Sequence, residues 1–374
     1  MPSGRVYLDA NATEPLRPEA RAAVIAALDR LGNPSSIHGD GRAARRLLED
    51  ARESIAARFG AAPRDVIFTS GGTEANVLAI HGLAGSGPIL RGATEHPAVI
   101  AAAGDGAVIL PVDADGLIDL TELPARLAAI KPTLVCLMLA NNETGTLQPI
   151  AEVAALCRAA GALLHVDAVQ AAGRISVDLA SLGADSLSIS AHKLGGPTGA
   201  GALLLAPEAA ARLVPLLVGG GQERGRRGGT PALSNIAGFA AAALAAQPET
   251  ARALAGMRDA IEAAAIAAGG IVVGGGGPRL ANPRLPNTTC IALAGVRAES
   301  QVIALDLAGF SVSAGAACSS GKVARSHVLE AMGLGTLAGE AIRVSLPWNA
   351  TPDHVTAFAA AYRVMAQQMR RKAA

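Results

Sequence analysis

Lysine is scarce in this sequence: among 374 residues only Lys131, Lys193, Lys322 and Lys372 carry an ε-amine. Heavy use of Ala and Arg points to coding bias, which says nothing about function but makes each lysine conspicuous. The four cysteines, Cys136, Cys157, Cys290 and Cys318, show no C-x-x-C spacing. Neither a zinc site nor a disulfide framework is therefore indicated, and a reducing cytoplasm fits. Charge of one sign is not in excess, with 32 Lys and Arg against 31 Asp and Glu, so no general basic surface invites nucleic acid or anionic lipid. Long apolar runs are missing too. The longest, such as residues 236–246, falls short of the roughly 20 residues that span a bilayer. The opening stretch MPSGRVYLDANATEP lacks a charged region followed by an apolar one, so no export signal is expected.

The length suggests two or three domains rather than one, and suits an enzyme with a cleft. From about residue 60 to 206, short apolar or β-branched runs alternate with helix-length amphipathic segments, the pattern of an α/β protein with a mainly parallel sheet. Six strands are predicted, at 65–69, 88–93, 133–140, 162–166, 186–190 and 201–206. Helices are predicted at 18–31, 42–59, 73–83 and 149–160, several closed by Gly. A long Ala-rich helical stretch, 231–268, and the Gly run 274–277 separate this part from a smaller α+β part. That part has strands near 288–294, 310–313 and 341–346, a helix at 298–308 and a final helix. The expected division is a large domain over 15–256 and a small one made of 1–14 and 257–374.

Ligands of open parallel sheets collect beyond the carboxyl ends of the strands. Five such ends carry polar groups: Ser70-Gly71-Gly72-Thr73-Glu74, Thr94-Glu95-His96, Asn141-Asn142-Glu143, Asp167 to Gln170, and Ser190-Ala191-His192-Lys193. The glycine pair opens a helix, where free N–H groups and the dipole favour a phosphate. Taken singly, Thr73 is equally a first-turn residue, His96 a capped loop residue and Asp167 an N-cap. Together they point at one cleft. Lys193 ends an apolar strand, whereas Lys131 and Lys372 sit in a polar turn and a charged tail. A partly desolvated lysine there has a lowered pKa and can form a Schiff base. Asp167 near a pyridine nitrogen would keep the ring cationic, and a stacked His96 would shuttle protons.

The motifs SGGTEAN, ATEH, NNETG, HVDAVQ, SAHKLGGPTGAG, RRGGT and SAGAACSSG resemble those of the cysteine desulfurases of the NifS and IscS type. These are pyridoxal 5'-phosphate enzymes of fold type I within the class V aminotransferases. The likeness runs in order from LDANATEP, starting at residue 8, to AIRVSL, ending at residue 346. It implies a large domain with a seven-stranded-type sheet plus the smaller α+β domain. It implies that Lys193 carries the cofactor, that Asp167 and Gln170 touch its ring nitrogen and hydroxyl with Asn142 assisting, that His96 stacks, and that Gly72, Thr73, Ser190 and His192 hold its phosphate. Thr230 resembles a phosphate contact donated by a second subunit, which implies a homodimer. Arg343 matches the arginine that binds the substrate carboxylate, with Asn33 assisting. Read from the residues alone, Arg343 is equally half of an ion pair and Asn33 a turn residue.

The cysteines sort by context. Cys136, Cys157 and Cys290 lie in apolar strands or on a helix, as packing residues do. Cys318 lies in the Gly/Ser/Ala-rich segment 311–320, which is expected to be mobile and accessible, with Lys322 and Arg325 to favour a thiolate. The resemblance then implies removal of sulfur from L-cysteine, giving alanine and a persulfide on Cys318 that passes to an acceptor such as an iron–sulfur scaffold protein. A selenocysteine lyase or aminotransferase of the same fold is the alternative. A dinucleotide-binding reading of the segment 333–338 is disfavoured, because that segment follows a helix and lacks the βαβ setting. The sequence departs from the family pattern at Glu14, Ala191, Pro347-Trp348 and the stretch GKVARS after Cys318.

Overall fold

The computed structural model describes residues 4–274, 284–315 and 325–373. Its strands, in chain order, are β1 (Val6–Tyr7), β2 (Val66–Thr69), β3 (Ile89–Gly92), β4 (Val108–Leu110), β5 (Leu134–Met138), β6 (Leu163–Asp167), β7 (Ser186–Ser190), β8 (Gly201–Leu205), β9 (Ile271–Val273), β10 (Thr288–Ala292), β11 (Phe310–Ser311) and β12 (Ala341–Ser345). Seven of these form one sheet in the order β2-β8-β7-β6-β5-β3-β4. Only β8 runs against its neighbours, so the other six strands end at the same edge.

The residues explain this sheet. Strands β5 to β8 are buried along their whole length, as expected where helices cover both faces and the sequence reads as a continuous apolar run. Helix Gly72–Ala84 packs on one face through Ala75, Leu78 and Ala79. On the other face, Val153 and Cys157 of helix Ile150–Ala159 and Phe239 of helix Leu233–Ala245 join Val166, Leu187 and Ile189 in one core. The predicted helices 18–31 and 42–59 are Pro18–Leu28 and Gly39–Phe59.

The seven-stranded sheet that the resemblance implies is present, but one expectation needs correction and three strands, β1, β4 and β9, were not among those predicted. The seventh strand, β4, lies at the sheet edge. It has only three residues, with Ile109 half-exposed and Pro111 closing it, too short for an alternation to register. The stretch 231–268 is not one helix but three, Leu233–Ala245, Pro248–Arg252 and Leu254–Ala267. Pro248 causes the first break: it lacks an amide donor and pushes Gln247 out of the helical region, to φ −96°, ψ 135°.

A second, antiparallel sheet has the order β12-β10-β9. Helices Leu254–Ala267, Ala298–Leu307 and Pro352–Ala373 pack around it, and Leu8, Ile261, Leu305, Ile342 and Phe358 share its core. The N-terminal strand β1 pairs with β11. From there residues 9–15 run between the two sheets, with Asp9 bridged to Ser345. Among the described residues no helix is long and apolar enough to cross a membrane.

Candidate active site

The shared strand edge encloses a cavity of about 210 Å³. Gly72, Thr73, Ser190, His192 and Lys193 line one part of it, and His96, Asn142, Asp167 and Gln170 the rest. Four separate strand-end loops and the first turn of helix Gly72–Ala84 supply these groups. Two glycines permit the close approach. A Cβ on Gly72 would lie 2.6 Å from Val169 Cγ2, and one on Gly201, at the start of β8, would lie 2.6 Å from the Gly71 carbonyl carbon.

Asp167 ends β6 with both carboxylate oxygens held. Oδ2 accepts from Asn76 Nδ2 at 2.7 Å, and Oδ1 accepts from the Val169 N–H at 3.0 Å. The Asn76 Oδ1 in turn accepts from Ser188 Oγ at 2.5 Å and pairs with His165 Nε2 at 2.9 Å, while His165 Nδ1 meets Ser186 Oγ at 2.9 Å. Burial pushes the His165 pKa down to about 3, so its ring is neutral and donates from Nε2. The aspartate's orientation is thus fixed through two strands, β6 and β7, and a helix, before any ligand arrives.

Lys193 follows β7 in a short 3₁₀ turn. Its Nζ donates to the carbonyls of Asn11, at 2.5 Å, and Ala12, at 2.9 Å. Burial lowers its pKa from 10.5 to about 7, with Arg343 and Arg174 adding to the shift and Asp9 and Asp167 opposing it. A large fraction of this amine is therefore neutral, and nucleophilic, near neutrality. His96 caps helix Pro97–Ala103: Nδ1 accepts from the Ala98 N–H at 3.1 Å, which leaves Nε2 as the nitrogen free to act. Burial, with help from Lys193 and His327 and against Asp167, lowers its pKa as well. His192 is lowered to about 4 by burial, Lys193 and Arg174.

Three sequence-predicted residues do not line this cavity. Arg343, on β12, donates to Asn142 O at 3.1 Å and to Asp9 Oδ1 at 2.7 Å, and its buried Nε has no partner among the described residues. It stands one residue behind the wall. Thr230 is exposed and lines a separate recess with Ser70 and Gly199. Asn33 is exposed in a turn, where its Oδ1 accepts from the Ser35 N–H at 2.9 Å. Cys318 and Lys322 lie outside the described residues. The other three cysteines are free and buried, and burial raises each thiol's pKa, to about 12 for Cys157 and well above the ordinary value for Cys136. They are packing groups, not nucleophiles.

Sequence reasoning missed Asn76, His165, Asn11 and the Glu14–Arg174 pair. A signal for the first two was present: a polar residue inside an apolar helix face or a doubly buried strand is the informative exception. Asn11 joins the halves of the site. Its carbonyl accepts from Lys193 and Gln170, and its amide donates to Asn142 O at 3.0 Å and Thr288 Oγ1 at 2.9 Å. Among the described residues no cluster of His, Cys, Asp or Glu side chains is arranged to hold a metal ion.

The donor set fits a ring bearing a phosphate and an aldehyde. Hydroxyl and ring donors of Thr73, Ser190 and His192, with a 13-residue helix opening on Gly72, suit the anion. A fixed carboxylate suits a ring nitrogen, and a weakly basic lysine suits the aldehyde. The chain matches the family described as Aminotransferase class-V over residues 6–358. It is 43% identical over 356 residues to a cysteine desulfurase of Cereibacter sphaeroides, covering 91% of this chain and 90% of the relative. It is 40% identical to the cysteine desulfurase IscS of Dictyoglomus turgidum, covering 93% and 91%. The solved NifS-like protein of Rickettsia africae superposes with a TM-score of 0.88 at 33% identity, over 97% of this chain and 100% of that one. A lysine, a clamped aspartate and a glycine-opened helix meeting at one sheet edge, with a family match over nearly the whole length, place the chain in the class V aminotransferase family, whose members depend on pyridoxal 5'-phosphate.

Proposed function

We propose that this protein is a pyridoxal 5'-phosphate-dependent cysteine desulfurase that converts L-cysteine to L-alanine and leaves the sulfur as a persulfide on Cys318. The observation that carries the reading is Lys193, a lysine of pKa about 7 in a cavity it shares with Asp167 and the N-terminus of helix Gly72–Ala84. The names of the relatives at about 40% identity support it. When bound, the cofactor supplies an electron sink for the substrate's α-carbon.

The chain's own residues do the rest. Lys193 holds the cofactor, and its freed neutral amine takes the α-proton. Asp167, its carboxylate held by Asn76 and the Val169 N–H, would hold the ring nitrogen and keep it protonated through its negative charge. Gly72, Thr73, Ser190 and His192 bind the phosphate, joined by Thr230 of a second copy in a homodimer. Gln170 and Asn142 contact the ring oxygen, His96 stacks and moves protons through Nε2, and Arg343 with Asn33 receives the substrate carboxylate. The Cys318 thiolate attacks the substrate sulfur, the carbon–sulfur bond breaks toward carbon, and the carbon fragment leaves as alanine. We take residues 15–256 as the domain that supplies the side chains lining the cavity, and 1–14 with 257–374 as the second, which brings Asn11 to Lys193 and Arg343 to Asn142. A cytoplasmic iron–sulfur scaffold protein is the acceptor we assign.

The test is alanine release from L-cysteine by the purified protein with a thiol reductant. Cys318→Ala is expected to keep the visible cofactor band and lose cysteine turnover, while Lys193→Ala loses the band and at least about a hundredfold in rate. Undiminished turnover in Cys318→Ala would overturn the sulfur-transfer step, and a wild-type protein without the band would overturn the cofactor.

A further inference from the structure

Glu14 and Trp348, two positions at which the sequence departs from the pattern it otherwise resembles, touch each other. The Trp348 backbone N–H donates to Glu14 Oε1 at 2.6 Å. The other carboxylate oxygen accepts from Arg174 Nη2 at 3.2 Å, and the two side chains of this ion pair are each only 6% exposed. Burying such charges is costly unless their polar atoms are used. Those of Arg174 are: it also donates to Ala10 O at 3.3 Å, to Gln170 O at 3.0 Å and to Gln170 Oε1.

That last contact decides which way the Gln170 amide faces. A glutamine has one acceptor oxygen and two N–H donors. The oxygen is taken by Arg174, and one N–H goes to Asn11 O at 2.9 Å. The second N–H is left for the cavity that Gln170 lines, so, with its oxygen engaged by the guanidinium, Gln170 presents that cavity with a donor. Asn11 O also accepts from Lys193 Nζ at 2.5 Å, which ties the lysine to the same small network.

We propose that Glu14 and Arg174 are positioning residues: the carboxylate fixes the guanidinium, and the guanidinium holds Gln170 as a donor toward the cofactor's ring and sets a positive charge beside Lys193. This rests on the cofactor reading above. The charges that act on Lys193 are Arg343 and Arg174 on one side of the balance and Asp9 and Asp167 on the other, with His192 adjoining in the chain and His96 facing it across the cavity. Arg174 is one of these charges and is partly offset by its ion-pair partner Glu14, so its removal moves the balance by part of the whole.

The test uses the holoenzyme and follows the visible band of the bound cofactor as a function of pH. Arg174→Met is expected to raise the midpoint by about half a unit or more, because a like charge that disfavours protonation is gone. Arg174→Lys, which keeps the charge, returns it toward the wild-type value. Cofactor retention is the second readout. Glu14→Ala weakens it about tenfold in the wild-type background and less than about twofold in the Arg174→Met background, since the two act as one unit. A midpoint unmoved in Arg174→Met, no recovery in Arg174→Lys, or additive losses in the cycle overturns the proposal. If Arg174→Met does not fold, Arg174→Gln, neutral but still a donor, must show the same upward shift or the proposal falls. A wild-type protein that never develops the band overturns the functional reading and this pair with it, whereas a wild-type band with unmoved midpoints overturns the pair alone.

Discussion

Asn76 contributes no chemistry of its own, yet three polar side chains depend on it. Its amide spans Asp167 on one side and Ser188 with His165 on the other, and it is 1% exposed. Asn76→Ala takes one hydrogen bond from each of those partners, leaving Asp167 with the Val169 N–H and His165 with Ser186 Oγ, a penalty of about 1–3 kcal/mol. Cofactor affinity is expected to fall about tenfold or more, read by equilibrium titration of the apoprotein, because a freed Asp167 carboxylate no longer points in one direction. Lys193 gives a second expectation at this scale. Its pKa of about 7, down from 10.5, sets the fraction of reactive free amine. Capture of pyridoxal 5'-phosphate by the apoprotein should therefore speed up with rising pH through a midpoint near 7 and level off above about 8, as stopped-flow absorbance would record. The linkage has a definite sign. Between about 7 and 10.5 the unfolded chain binds more protons at this lysine than the folded one, so its contribution to apoprotein stability rises with pH across that window. Lys193→Met removes that slope. A capture rate flat from about pH 6 to 9 would contradict the assigned basicity.

At the scale of elements, the site depends on how closely a strand and a loop approach. Gly201 opens β8 directly against the Gly71 backbone, where an added Cβ would sit 2.6 Å from the carbonyl carbon and 2.7 Å from Cα. Neither atom is the flexible end of a side chain, so Gly201→Ala must displace the loop that carries Gly72 and Thr73. Overpacking of this kind costs about 1–3 kcal/mol. The expected result is a lowered melting temperature of the apoprotein together with weaker phosphate binding, and a variant that melts like wild type with unchanged cofactor affinity would refute the argument. Much of this architecture was legible in the sequence. The strands at 65–69, 133–140, 162–166 and 186–190 are buried runs bounded by turns, and the polar groups at their ends meet because parallel strands must finish at one edge. The rest was not legible, for physical reasons. Strands β4 and β9 have three residues each, and Pro248 interrupts a composition that otherwise favours one long helix. The Asn76–Asp167 contact joins residues 91 apart, and it exists only because β2 crosses beyond β8 and returns its helix beneath β6. No local pattern encodes that strand order.

At the scale of the whole molecule, three expected residues do not line the cavity as one chain builds it, and of these Arg343 alone is buried. Thr230 and Asn33 are both exposed and line no part of it, while apolar side chains lie exposed near Asn33, with Leu28 at 68%, Leu31 at 84% and Ile37 at 88%. A second copy that covers these side chains and lends Thr230 to its neighbour's phosphate site accounts for both facts. The expectation can be tested without a structure of the assembly. Thr230→Val removes one charge-assisted hydrogen bond and is expected to lower turnover about tenfold, and Lys193→Ala is inactive. If each chain completes only its own site, co-expressing the two variants yields the average of the two preparations. If sites are shared, half of all dimers are mixed, and each of these pairs a normal Lys193 from one chain with a normal Thr230 from the other. Activity then rises about fivefold above that average, taking random pairing and the tenfold loss. Separately tagged subunits, purified for the mixed species, would sharpen the comparison to one intact site in every molecule. Absence of any gain in that purified species would mean that Thr230 serves its own chain or no phosphate at all.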